Sequence, residues 1–196
     1  MGWRRLMPDL RKALFWDSCV FYRYLTQTPP EYVADIVQYI RDAQAGQIDI
    51  LFSTITLAEI RPSALRQRGF DHIDDFFDDV SGVFLPIGPT PEIMKRAAIL
   101  KDRRYRHARK DPRHIGTPDA IQLLTCLHAA EDLGYEEVVF HTFDNGGGKG
   151  WEGKCVPLLS FEEWTAGCED EPLVGKVAAM TRSLPLYPQP LLPDMV

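Results

Sequence analysis

The chain is poor in the residues that staple small secreted folds or hold zinc. Its 196 residues include four cysteines, Cys19, Cys126, Cys155 and Cys168. None forms a C-x-x-C pair, and their spacing fits neither a zinc site nor a dense disulfide framework. The five histidines are scattered without an H-x-x-x-H pair, and His141 falls in an apolar run that suits a hydrogen-bonded core histidine. No apolar stretch approaches the ~20 residues of a membrane span. Met1-Gly2-Trp3-Arg4-Arg5 is basic, but Asp9, Arg11 and Lys12 break up the adjoining stretch before any apolar core can form. No signal peptide and no membrane partner are therefore expected, and a cytoplasmic location is. A formal net charge of -6 argues against broad, nonspecific adhesion to nucleic acid, while leaving room for a local basic surface.

The apolar and charged fractions are those of an ordinary globular chain with a substantial core. Short apolar runs alternate with helical periodicity. Strands are expected at 13–17, 48–53, 83–87, 137–141 and 155–159, with Pro86 keeping the third of these off the sheet centre. Helices are expected over 18–25, from Glu31 to about Gly46, over 54–61, 70–80 and 91–107, and most clearly over 118–133. There Thr117 would be the N-cap, Pro118 the first helical residue and Gly134 the stop. Phe161 to Trp164 suits a helical turn. The alternation indicates an α/β layer fold with a mostly parallel central sheet flanked by helices. After residue 165 the composition shifts toward a proline-rich tail at 166–196, with four prolines between Pro185 and Pro193. That tail is expected to wrap the domain, meet a partner or stay disordered.

Four acids stand where an apolar run gives way to a turn or a helix: Asp17, Glu59, Asp119 and Asp144. Strand ends on one edge of an open parallel sheet are where such folds build their sites. Each acid also has a plain structural role open to it. Asp17 and Asp119 suit the first turn of a helix. Thr56-Leu57-Ala58-Glu59 matches a capping box, and Asp144-Asn145-Gly146 matches a turn. Gathered at one edge, four carboxylates would repel one another unless a cation sat among them. Such a set suits Mg²⁺ or Mn²⁺ and metal-dependent phosphodiester chemistry.

Four segments carry a resemblance: Leu14-Phe15-Trp16-Asp17-Ser18, Ser53-Thr54-Ile55-Thr56-Leu57-Ala58-Glu59, Gly116-Thr117-Pro118-Asp119-Ala120-Ile121-Gln122-Leu123 and His141-Thr142-Phe143-Asp144. In order and approximate spacing they resemble the PIN-domain nucleases, the family that includes the toxins of many prokaryotic toxin–antitoxin pairs. The resemblance covers roughly residues 13–164. It implies a three-layer PIN-like fold and a divalent-metal-dependent endoribonuclease in which Asp17, Glu59, Asp119 and Asp144 hold one or two ions. It implies that Thr142 joins the site, and it brings RNA, an antitoxin protein and a homodimer into view as partners. Two features depart from it. Asp144 is followed by Asn145 and a glycine-rich run rather than by another acid, and the proline-rich tail lies outside the pattern.

Residues 101–114 carry seven Lys or Arg against two Asp. They read either as a solvated helix end or as a phosphate-contacting rim, with Arg103, Arg106 and Lys110 as the substrate-binding residues. Gly146-Gly147-Gly148-Lys149-Gly150 lacks the P-loop spacing and suits a flexible turn near Asp144. Two other classes remain: a non-catalytic PIN-like module that grips RNA or protein, and a structure-specific DNA nuclease. A haloacid-dehalogenase-type phosphatase fits poorly, because Cys19 stands where its second acid would be.

Overall fold

A computed structural model describes residues 12–108, 110–147 and 154–188. The first eleven residues, the 148–150 part of the glycine run and the 189–193 part of the proline-rich stretch lie outside the described residues. Five parallel strands form one sheet in the order β3-β2-β1-β4-β5. They are β1 (Lys12–Trp16), β2 (Asp49–Ser53), β3 (Phe84–Ile87), β4 (Glu137–His141) and β5 (Arg182–Ser183). Eight α-helices flank the sheet among the described residues: α1 (Ser18–Thr26), α2 (Val33–Gln44), α3 (Ile55–Glu59), α4 (Pro62–Arg68), α5 (Ile73–Asp79), α6 (Pro91–Lys101), α7 (Thr117–Asp132) and α8 (Pro172–Ala178). The three-layer α/β arrangement expected from the alternating pattern is the one observed.

The apolar runs have a physical cause. Successive strand side chains point to opposite faces, so a strand covered on both sides must be apolar at every position. In β1, Ala13 and Phe15 join the core beneath α6, α7 and α8. Leu14 and Trp16 join the opposite core, beneath α1, α2 and α4. In β2, Leu51 faces the first core, while Ile50 and Phe52 face the second. Phe21 binds the second layer together, meeting Trp16, Phe52, Phe76 and Phe84 at ring-centroid distances of 5.1–6.4 Å. Pro86 does sit on an edge strand, paired with Phe52.

Three elements depart from expectation. Helix α6 ends at Lys101 rather than near His107, because its inward stripe of Ile93, Ala97 and Leu100 would next require Arg104 to be buried. Instead Tyr105 turns in, fully buried, and its backbone exchanges two 2.9 Å hydrogen bonds with Arg113. The 155–159 segment is not a strand. Pro157 supplies no N–H to a ladder, and the neighbouring amides bond elsewhere, Val156 N–H to the His114 carbonyl and Leu159 N–H to the Asp144 carbonyl. The place beside β4 is taken by β5, with Phe140 N–H donating to Thr181 and Thr142 N–H to Ser183. Residues 166–188, expected as tail, thus contain α8 and the last strand. Val174 and Val177 of α8 are buried in the core. Beyond β5 the chain runs over α2, where Tyr39 Oη donates to the Leu186 carbonyl at 2.6 Å and Tyr187 Oη to Asp42 at 2.7 Å.

Candidate functional site

The chain builds β1, β2 and β3 outward in one direction, then returns to lay β4 on the other side of β1. The crevice at the carboxyl ends of β1 and β4 is therefore the topological switch point, the place where open parallel sheets bind ligands. Asp17 follows β1 there, and its N–H donates to the His141 carbonyl at the end of β4 at 3.1 Å. The crevice opens into a cavity of about 530 Å³ lined by Asp17, Ser18, Cys19, Glu59, Gly116, Asp119, Phe143, Asp144, Asn145 and Cys155, among others. All four acids singled out in the sequence face this one cavity.

Asp17 occupies the N-cap position of α1 but makes no capping bond with its side chain. Its carboxylate, 4% exposed, instead accepts from Thr142 Oγ1 at 2.7 Å, Cys19 Sγ at 3.0 Å and Ser18 Oγ at 3.3 Å. Burial and the Asp17 charge push the Cys19 thiol well above its ordinary range, so it stays protonated and donates. Thr142 is fully buried. It is not among the residues that line the cavity, and it joins the site from behind the acids. It bridges two acids, donating to Asp17 and accepting the Asp144 N–H at 3.0 Å.

Glu59 ends α3, and the capping-box alternative fails. Thr56 lies inside the helix rather than at its N-cap, and its buried hydroxyl has no partner. The Glu59 main chain is pinned from α1, where Tyr22 Oη donates to its carbonyl at 2.7 Å and accepts Arg61 N–H at 2.8 Å. Its carboxylate accepts from Gln122 Nε2 at 2.8 Å. Burial, then the charges of Asp17 and Asp119, push the Glu59 carboxyl up to about 7. The charges of Asp17 and Asp119 are therefore close enough to oppose the ionisation of Glu59.

Asp119 is the third residue of α7, whose N-cap is Gly116 rather than Thr117. A Cβ at position 116 would lie 2.7 Å from Asp119 Oδ2. The absent side chain of Gly116 is thus what lets this carboxylate fold back against the backbone. Asp144 is held differently. Its Oδ1 accepts Gly146 N–H at 3.0 Å and its Oδ2 accepts Leu158 N–H at 3.2 Å, so its carboxylate closes the turn foreseen as its plain structural role. Gly146, at φ 74°, has Pro157 where a Cβ would go.

The basic residues expected at a rim are engaged differently from one another. Arg103 is forked onto Asp170 at 3.0 and 3.1 Å and reaches Glu171 at 3.5 Å. Lys110 Nζ stands 5.4 Å from the Trp164 ring centroid, and Arg106 is exposed on another face of the same segment. None of the three lines the acid cavity. Arg113 reaches a lining residue, donating to the Cys155 carbonyl at 2.9 Å, and lies 4.7 Å from the Trp164 ring centroid. Gln122 was also missed as a site residue. The signal was present, since it is a polar residue one turn beyond Asp119 within the apolar stretch from Ala120 to Leu124.

Hard carboxylate oxygens facing one cavity fit a divalent cation in chemistry. In position, no three His, Cys, Asp or Glu side chains among the described residues are arranged to close on a metal ion. No described helix is long and apolar enough to cross a membrane. No protein-family model matches the chain, and no curated protein matches it.

Proposed function

We propose that the chain is a divalent-metal-dependent endoribonuclease with a PIN-like site. The observation that supports this best is the convergence of Asp17, Glu59 and Asp119 on the switch-point cavity, with Glu59 pushed up to about 7 by burial and then by the other two charges. Bound Mg²⁺ or Mn²⁺ would lower the pKa of a water and polarise a phosphodiester oxygen. The chain's own part is positioning. Thr142, Cys19 and Ser18 direct three donors at Asp17, so its carboxylate keeps one orientation. Gln122 holds Glu59 from α7, and Gly116 admits Asp119. Asp144, with both oxygens on backbone amides, shapes the wall and serves least as a ligand. The toxin role, an antitoxin partner, a homodimer and a cytoplasmic RNA substrate belong to this proposal through the resemblance.

The test is cleavage of single-stranded RNA with Mn²⁺ or Mg²⁺ by the wild type and by Asp17→Asn. Loss of at least ~10²-fold in the variant and full dependence on the ion are expected. Equal rates in both proteins, or with and without ion, would sink the reading. One observation favours a second reading, a non-catalytic RNA- or protein-binding module: no three described side chains close on an ion as placed. That module would bind its partner without cleaving it and would not be stabilised by divalent ions.

A further inference from the structure

The segment that leaves α6 turns Tyr105 inward and pairs it with Arg113. Along an extended chain successive side chains alternate sides, so Arg104 and Arg106, which flank Tyr105, are both left outside. They line one open cleft of about 610 Å³ with Ala108, Ala166 and Gly167. Among the described residues neither guanidinium has a hydrogen bond or an ion pair, and no carboxylate lines the cleft. The nearby Glu169 carboxylate is engaged by the backbone, accepting the Gly167 N–H at 3.0 Å. Their neighbours are treated otherwise: Arg103 is matched to Asp170, and Arg113 to the Cys155 carbonyl. In a chain of net charge -6, two unmatched arginines sharing a cleft are a local reversal of sign.

We propose that the Arg104–Arg106 cleft is a phosphate-binding subsite for a single-stranded RNA whose reacting linkage lies in the acid cavity. Guanidinium groups match phosphate oxygens with paired N–H donors, and exposed ones cost little to place there. The cleft and the cavity belong to one piece of structure. Tyr105 and Arg113 are hydrogen-bonded partners, and the Arg113 side chain is bonded to Cys155, which lines the acid cavity. A strand held at the cleft by two backbone phosphates is thus anchored on a hairpin that is itself bonded, through Arg113, to the cavity-lining Cys155. Such anchoring offsets the repulsion between RNA and the acids without placing a cation among them. The inference rests on the ribonuclease reading for its substrate, but the cleft's affinity is measured separately from cleavage.

The experiment is fluorescence anisotropy of a labelled single-stranded RNA with the full chain in EDTA, between 50 and 200 mM KCl. The Arg104→Gln/Arg106→Gln double variant is compared with the wild type and with Arg66→Gln/Arg68→Gln, two cations at the end of α4. Two lost phosphate contacts should reduce the slope of log K against log salt by about 1.4. Binding at 100 mM KCl should weaken by about 10-fold or more, while the α4 variant stays near wild type. Unchanged slope and affinity in the first variant, or an equal loss in the second, would overturn the proposal. So would displacement of the RNA by a poly-glutamate peptide at lower concentration than by unlabelled RNA, which would mark an acidic protein site. If the slope falls as stated but no RNA is cut with Mn²⁺, the cleft stands and the nuclease reading fails. If RNA is cut and the first variant binds as wild type, the reverse holds.

Discussion

Replacing Glu59 by Gln isolates the electrostatic cost of the acid cluster, because the new amide oxygen can still accept from Gln122 Nε2. The carboxyl is raised from an ordinary 4.5 to about 7, by burial first and then by Asp17 and Asp119. The sign comes from linkage: the folded state holds this proton more tightly than the unfolded state. The associated stability is present below about pH 4.5 and is lost as pH rises through 7. The full gap corresponds to roughly 3 kcal/mol. Part of Glu59 stays in water, and solvent screening reduces this to about 1–2 kcal/mol. Urea unfolding at pH 4 and pH 8.5 reads the difference directly. The variant should match the wild type at pH 4 and exceed it by about 1–2 kcal/mol at pH 8.5. Adding Mn²⁺ at pH 8.5 should restore the wild type by RT ln(1 + [L]/Kd) and should do less for the variant, which offers one charge fewer. The same stability difference at both pH values would refute the electrostatic account of the cluster, whatever the activity proved to be.

Two further substitutions separate placement from stability. Gly116→Ala puts a Cβ 2.7 Å from Asp119 Oδ2. Because residue 116 already has an ordinary φ of -64°, the strain falls on the carboxylate. RNA cleavage should drop by about 10²-fold with a change in urea midpoint within that of a surface mutation, and retained activity would show that Asp119 is not needed where it lies. His141→Phe tests the acid side. Burial pushes the His141 ring down to about 4, and its Nδ1 has no partner. The folded state therefore binds that proton less tightly than the unfolded state, and stability present above pH 6.5 is lost as pH falls toward 4. Between pH 6.5 and 4 the variant should escape roughly 3 kcal/mol of that loss, and parallel stability curves for the two proteins would count against it.

What could be read from the sequence was whatever depends on near neighbours along the chain. Continuous apolar runs at 13–16 and 50–52 signalled strands covered on both faces, and the Thr117-Pro118-Asp119 start signalled α7. The acids were legible for the same reason, since each follows or opens such an element. Long-range pairing was not legible. Arg103 and Arg106 look alike in the sequence, and only the fold gives one of them Asp170, 67 residues away. Strand β5 has two residues, too few to show any periodicity. Helix α8 begins at Pro172, as a helix is free to do, yet the proline-rich composition beyond it drew the whole stretch toward a tail. The inward turn of Tyr105 was hidden because Lys101 to Arg106 is rich in good helix formers, and burial of one aromatic outweighs their propensity.

The order of the strands explains why the site needs remote acids at all. At a switch point the two central strands β1 and β4 send their following chain to different layers, so the crevice between them is walled by loops that share no local sequence. A charge placed there must be fixed by partners from other elements. For Asp17 that partner is Thr142, 125 residues away across the crevice, and for Glu59 it is Gln122, 63 residues away. Each contact joins one wall to another. Thr142 also accepts the Asp144 amide, so the orientation of Asp17 and the turn at Asp144 are tied to one hydroxyl. Asp144 can therefore support the site through its backbone and the loop it closes, even though its carboxylate oxygens are engaged by Gly146 and Leu158. On this geometry Asp17, Glu59 and Asp119 face the cavity together, and the fourth acid is part of the frame that holds the first.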